Sequence, residues 1–448
     1  FLYSIQTERI DVCIALRKGS QAIYGVRGGE GQESRGLVEP LTLGDRQRRS
    51  HVRHRRAFAL QGNDMVARLS RGIQFAGLFI QCFVRSRRSV TVVFLLRHPI
   101  QIEYAKDLIG LLCDDRDFSV LVSSPTEEWR ERIQESMCRK ILWVPYAHWV
   151  SRLPVDLLLG TCPGKDLPAH EHAQKVCFMH SLVSVHSVYR PDYFLGYDHI
   201  FCAGPHHIAE FRSRLPGVMG TGTKLWPVGY EPTDRLVRNT ASSEHKAPRE
   251  AARAELSLGI DSSRGPLTVL YAPTWGPSSS LSEFGLGLFG VLLAEFRLIF
   301  RPHPLLLRDD SEIIESILEE FGEHLRLQMD LSPDPREAFD SADVMLSDWS
   351  GVAFEFALGL GKPVFYIGTC RKTYNKDGGS ESEGVEVTLR EAIGTVCTDV
   401  AELPRVIGEK LNGPSPSRHS VQQLRDRLLF NCGESAKAAL SALRQMTN

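Results

Sequence analysis

The sequence has no uninterrupted apolar run approaching the ~20 residues that a membrane-spanning helix requires. Its longest candidates, such as Val92 to Leu96, are only strand-sized. None of its ten cysteines forms a Cys-x-x-Cys pair, and only Cys177 has a histidine, His180, at a ligand-like spacing. These absences argue against a helical membrane bundle, a zinc site and a disulfide framework, and a reducing cytoplasm fits best. No internal repeat is visible. What remains is a 448-residue chain with 42% apolar residues, long enough for two soluble globular domains with additional material.

The formal charge of −1 hides an asymmetry. Residues 1–88 hold 16 Lys or Arg against 7 Asp or Glu, which leaves the remainder at a net −10. The densest stretch is "RQRRSHVRHRR", residues 46–56. Its periodicity is poor and the chain starts at Phe1, so residues 1–88 read as a fragment's beginning or a basic, disordered arm. A basic arm can also lie on anionic lipid. Nucleic acid is not expected as a partner, because no aromatic interleaving or binding motif accompanies the charge.

From residue 89 the texture changes. "SVTVVFLLRHP" is a β-branched strand, followed by a helix-like stretch over 100–113 and the strand "FSVLVSS" at 118–124. Further strands are expected at 141–145, 155–159, 176–179 and 199–202. After "LPGVMGTGTK" a second series follows at 225–229, 267–274, 296–301, 325–329, 344–347 and 364–367. Strands alternating with helix-sized segments predict parallel sheets covered on both faces. The expected layout is a first Rossmann-like domain over 89–217, a second over 218–412, and helices over 413–448 that cross back over the first. Residues 241–250, "ASSEHKAPRE", read as a polar surface segment. Two such domains face each other across a cleft, with ligands at the carboxyl ends of the strands.

Several strand ends carry residues suited to an anion. In "SDWSGVAFEFALGLGKPVFYIG", residues 347–368, Asp348, Ser350 and Gly351 stand where a strand hands over to a helix, whose first N–H groups have no internal partner. A Ser N-cap with nothing bound gives the same text. "VLYAPTW" ends at Thr274 and Trp275, which suit a base or phosphate contact or simple capping and packing. "LIFRPHP" ends at Arg301 and His303, and the flanking prolines hold His303 on a rigid loop. Arg301 suits a phosphate or an acidic neighbour. In the first half "KVCFM" ends at His180. His186 reads as a surface or packing histidine, and His206 and His207 as local.

"VLYAPTW", "RPHP" and "ADVMLSDWSGVAFEFALGLGKPVFY", in that order, resemble the carboxyl-terminal domain of the CDP-glycerol glycerophosphotransferases, the wall teichoic acid primases and polymerases. The resemblance spans roughly residues 90–412 and is strongest over 224–368. It implies a GT-B fold, one working histidine from each domain, and action at the inner face of the cell membrane. His180 falls on the family's His-Gly motif and His303 on its Arg-x-His motif. Asp348, Ser350 and Gly351 fall on the pyrophosphate-binding helix start, Glu355 replaces the usual Asp, and Asp234 falls on the Gly-x-Pro-x-x-Asp turn. Three features depart from the family text: Ser181 stands for Gly, no Lys follows His180, and "YNKDGGSE" lacks the Arg-Gly pair.

The implied reaction is attack by an acceptor hydroxyl, lipid-linked in such a family, on the phosphorus bearing glycerol, with CMP leaving. His180 is the expected base. His303, Arg301 and the helix N–H groups are expected at the leaving phosphate, and Glu355 at ribose hydroxyls or facing solvent. The layout requires no metal or other cofactor. A GT-B glycosyltransferase or epimerase acting on a UDP-sugar, whose helix start also carries Asp, Ser and Gly followed by Glu, is the alternative enzyme. An inactive nucleotide-binding relative is the alternative of another class.

Overall fold

The computed structural model describes residues 2–7, 10–15, 23–24, 69–124, 130, 140–161, 167–220, 222–242, 266–370, 384–412 and 418–447. The basic stretch 46–56, most of the polar segment 241–250 and "YNKDGGSE" lie outside them. The chain divides into two compact units, Phe1–Gln74 and Phe75–Asn448. In the first, β1 (Leu2–Thr7), β2 (Ile10–Ala15) and β3 (Ile23–Tyr24) form an antiparallel sheet in that order, which the sequence reading did not anticipate. Among the described residues no helix is long and apolar enough to cross a membrane.

The second unit holds two parallel sheets. The first contains β4 (Val90–Leu95), β5 (Phe118–Ser123), β6 (Leu142–Val144), β7 (Leu157–Gly160), β8 (Gln174–Phe178), β9 (His199–Cys202) and β10 (Lys224–Pro227), in the order β10-β9-β8-β7-β4-β5-β6. The second contains β11 (Thr268–Tyr271), β12 (Arg297–Phe300), β13 (Leu327–Met329), β14 (Val344–Ser347), β15 (Val364–Ile367) and β16 (Gly394–Cys397), in the order β13-β12-β11-β14-β15-β16. Central strands such as β5, β7 and β14 are buried at every position, as expected of parallel strands covered on both faces. The order reverses between β4 and β7 in one sheet and between β11 and β14 in the other, and ligands bind in the crevices at such points.

Three boundaries differ from the sequence reading. β10 pairs with β9 in parallel, so the expected first strand of the second domain is the edge of the first sheet. The sixth strand of the second sheet, β16, has no long apolar run and went unread. Residues 1–88 are not one arm, because a helix over 69–86 leads into β4. Its Leu78 and Cys82 are buried against Val93, Leu121, Trp149 and Leu158, so apolar burial overrides the basic composition there.

The C-terminal helix Ser435–Thr447 returns to the first sheet, as expected. Its Ala436, Ala439, Ala442 and Leu443 join the cluster of Val92, Phe94 and Leu108. Asp234 fixes its start, accepting from Gly433 N and Ser435 N, each at 2.7 Å. Helix Val352–Leu360 is apolar almost all round, and buried Phe354 and Phe356 contribute on the order of 2 kcal/mol each. It stops at Gly361, whose φ of 66° is the left-handed cap that glycine adopts without a side-chain clash. Leu182 and Ala203 of the first half share a cluster with Leu270, Phe354 and Phe356 of the second, so an apolar floor joins the two sheets beneath the cleft.

Candidate active site

On the first sheet's edge, β8 runs through Met179 into His180. The ring's Nδ1 lies 2.9 Å from the carbonyl oxygen of Thr161, which follows β7. A carbonyl only accepts, so Nδ1 carries the proton and Nε2 keeps the lone pair of the neutral ring. The Tyr189 hydroxyl, 2.9 Å from Nε2, donates to it. His180 thereby presents an accepting nitrogen, with an O–H bonded to it.

On the second sheet's edge the polar residues turn inward. Asp348 is fully buried, and its carboxylate accepts from Thr274 N at 2.7 Å, Trp349 N at 2.6 Å, Ser280 N at 2.8 Å and Ser280 Oγ at 2.9 Å. Ser347 Oγ donates to the Ala272 carbonyl at 2.7 Å across the switch point. Arg390 lies between the rings of Trp349 and Tyr366, 4.0 and 4.4 Å from their centroids, and donates to the carbonyls of Asp348 and Ile367. The expected substrate contacts at Asp348 and Thr274 are thus corrected. The carboxylate has no face toward the cleft, Thr274 is 1% exposed, and both brace the turn. The sequence offered no signal for Arg390, because its aromatic partners lie 24 and 41 residues away in the chain.

That bracing leaves backbone at the front. Ser350 and Gly351 are half-buried, and among the described residues no acceptor is bonded to the N–H groups of Ser350, Gly351 and Val352. Gly351 is also a point of close approach: a Cβ there would lie 2.7 Å from Ser181 Oγ. Ser181, which departs from the family's glycine, therefore stands directly before the helix start. Ser184 and Ser187 are tied to the second domain as well, with Ser184 N and Ser187 Oγ donating to Glu386 at 3.0 and 2.8 Å. The segment that follows His180 is clamped to Glu386 of the second half.

Arg301 departs from its expected phosphate role. Its guanidinium pairs with Asp330 at 2.6 Å and donates to Pro333 O, so the acidic-neighbour reading holds. His303 caps helix Pro304–Asp309, its Nδ1 accepting from Leu305 N at 3.1 Å, which makes Nε2 the proton-bearing nitrogen of the neutral ring. Its ring lies 6.2 Å from that of Trp275. His180 and His303 therefore carry opposite tautomers, one an acceptor and one a donor.

Glu355 is half-buried at the cleft rather than an exposed charge on the helix surface. It accepts from Tyr230 Oη at 2.7 Å, and burial pushes its carboxyl up to about 7, against the pull of Tyr230, Arg235, Arg301 and His180. The structure thus gathers Glu355, Tyr230 and His180 at the base of the cleft. His186 is buried and paired with Glu210 at 2.9 Å, a packing role. His206 and His207 bond the carbonyls of Leu182 and Val183, local roles as expected. His98 follows β4 in "RHP", an echo of "RPHP"; it is exposed, and partial desolvation together with the charge of Arg308 in the second half holds it below the usual histidine range.

The profile of the family CDP-Glycerol:Poly(glycerophosphate) glycerophosphotransferase matches residues 219–439. The fold is similar to that of the wall teichoic acid polymerase TagF, with a TM-score of 0.54 and 16% identity over 79% of this chain and 88% of that one. It is also similar to that of a protein from Listeria monocytogenes described as a UDP-N-acetylglucosamine 2-epimerase, with a TM-score of 0.51 and 13% identity over 80% of this chain and 97% of that one. No curated protein matches the sequence. Both structural likenesses speak for the two-sheet α/β GT-B-like fold. The profile match covers the second sheet, its switch point and part of the returning helices, just under half of the chain, and over that stretch the chain is similar to the CDP-glycerol:poly(glycerophosphate) glycerophosphotransferase family.

Proposed function

We infer that this protein transfers a glycerol-phosphate-type group from a CDP-activated donor to an acceptor hydroxyl in the synthesis of a surface polymer. The observation that carries this reading is the family match over a domain whose switch point leaves helix N–H groups bare among the described residues, in close approach to Ser181, next to a tautomer-fixed histidine. The donor's pyrophosphate sits before Ser350 and Gly351, where the helix dipole and N–H groups suit an anion. The acceptor hydroxyl displaces or follows Tyr189 at His180 Nε2. Its oxygen bonds to the phosphorus bearing glycerol as its proton passes to Nε2, and the bond from that phosphorus to the CMP oxygen breaks. His303, with its proton on Nε2, supports the leaving phosphate.

Incubation with CDP-glycerol, CDP-ribitol and UDP-sugars, followed by measurement of free nucleotide, tests the reading. CMP release dependent on an acceptor supports it, and turnover of UDP-sugars alone replaces it with the epimerase-like alternative. The acceptor is read as lipid-linked and the site of action as the cytoplasmic face of the membrane. The helix over 69–86 supports this with exposed Phe79, Ile80, Phe83 and Val84 beside exposed Arg87 and Arg88. Apolar side chains next to arginines suit an anionic bilayer surface. Sedimentation with anionic but not neutral vesicles, lost in Ile80→Asp/Phe83→Asp, is the expected result. Equal sedimentation of the variant overturns the membrane contact.

A further inference from the structure

Tyr230 stands between the two sheets, after β10 and directly before helix Glu231–Ser242, and is 2% exposed. Its hydroxyl has one proton and two acceptors within reach, Glu355 Oε1 at 2.7 Å and the main-chain carbonyl of His180 at 3.1 Å. Burial and the neighbouring Glu355 hold the phenol well above its ordinary pKa, so it remains a donor. A single proton cannot serve both acceptors at full strength. While Glu355 has a free lone pair toward Tyr230, the shorter bond takes the proton. A ligand hydroxyl or a proton that draws on the charge of Glu355 weakens that acceptor and shifts the balance of the phenol's proton toward the His180 carbonyl.

That carbonyl belongs to the residue that bears the proposed base. Its ring is fixed at the far side by Thr161 and lies 5.7 Å from the ring of Tyr104, which is 6.3 Å from that of Tyr230. Tyr230 thus bonds the main-chain end of a residue whose ring is held by Thr161 and Tyr189. We propose that Tyr230 is a positioning residue that couples occupancy of Glu355 by a nucleoside diphosphate donor to the placement of His180. This rests on the donor-site reading given above. It implies an order: the donor's ribose hydroxyls engage Glu355, the phenol turns to the His180 carbonyl, and the base is set before the acceptor arrives.

Tyr230→Phe in the full chain removes one oxygen and keeps the ring. The expected result is a fall in kcat with CDP-glycerol of about tenfold, or ~1.4 kcal/mol, with the calorimetric Kd for CDP within about twofold of wild type. A purely structural role would lower thermal stability without this split between kcat and Kd. An activity-free readout is the His180 ring signal in NMR, assigned by its loss in His180→Gln. Saturating CDP is expected to shift it in the wild type and to leave it nearly unmoved in Tyr230→Phe. Normal kcat in the variant, or the same CDP-induced shift in both proteins, overturns the coupling. If the wild type releases no CMP from any CDP donor, the transferase reading fails and the NMR comparison alone decides the role of Tyr230. A wild-type signal indifferent to saturating CDP overturns the coupling in that case too.

Discussion

The two switch points use polar residues in opposite ways. At the first, between β4 and β7, main-chain groups hold a side chain: the Thr161 carbonyl orients His180, and a nitrogen lone pair is presented. At the second, between β11 and β14, side chains hold the main chain: Asp348, Ser347 and Arg390 each bond backbone groups around the turn, and bare N–H groups are presented. The difference fits the chemistry each edge is proposed to perform. Removing a proton needs one titratable atom, whereas seating a pyrophosphate needs several fixed dipoles that do not titrate. It follows that polar residues of the first edge should affect rate, and those of the second should affect folding.

The largest expected effect separates these cases. His180→Ala should lower turnover with CDP-glycerol by ~10² to 10⁴, the usual contribution of a positioned base, while the unfolding midpoint and donor Kd stay close to wild type. Asp348→Ala should do the reverse at first order. It strips four donors of their acceptor in a buried place, with an expected loss of about 3 kcal/mol in denaturant unfolding. A stable, slow Asp348→Ala protein would return Asp348 to the substrate and break the contrast.

The sequence made the contrast half legible. Strand ends were readable, because buried parallel strands are compact apolar runs and the residues after them are therefore locatable. β9, β14 and β15 fall where expected to the residue. What could not be read is the direction in which a polar side chain turns at such an end. Asp348 and Arg301 look like ligand residues in one dimension, and only Ser280 and Asp330, far from them in the chain, reveal them as braced. Tyr189 and Glu386 lay in segments whose pattern signals nothing, and Tyr230 stood at a strand end the sequence did mark, but each matters through a hydrogen bond that no local pattern shows. The β10 error has a similar source. A strand that follows a glycine-rich turn can join either sheet, and only pairing with β9 decides.

A smaller effect is expected at Gly351. Gly351→Ala should weaken CDP binding about tenfold, or ~1.4 kcal/mol. The new Cβ would lie 2.7 Å from Ser181 Oγ, so that hydroxyl would have to turn aside, into the space before the helix start, or the helix start would have to shift. Adding Ser181→Gly removes that contact and should restore most of the affinity. Restoration would identify close approach as the reason for glycine here. Failure to restore it would mean that the anion itself needs the space, and unchanged affinity in the single variant would remove the anion seat from this helix.

The last expected effect lies where the two edges meet. Burial raises the Glu355 carboxyl to about 7 from its ordinary 4.5, so between those pH values the folded protein holds a proton that the unfolded chain has lost. The contribution of this group to stability is fully present below pH 4.5 and is lost as pH rises through 7. Arg235, Arg301, His180 and the Tyr230 hydroxyl all favour the ionised form, so the loss is what remains after their partial compensation. Glu355→Gln keeps an oxygen for Tyr230 and cannot ionise. Its unfolding midpoint should match wild type near pH 5 and exceed it increasingly toward pH 8, whatever the slope common to both proteins. Parallel midpoints across that range would mean that water reaches Glu355 well enough to leave its carboxyl ordinary. A protonation-dependent choice of partner for Tyr230 would then be lost, leaving ligand occupancy as the sole means of turning the phenol toward His180.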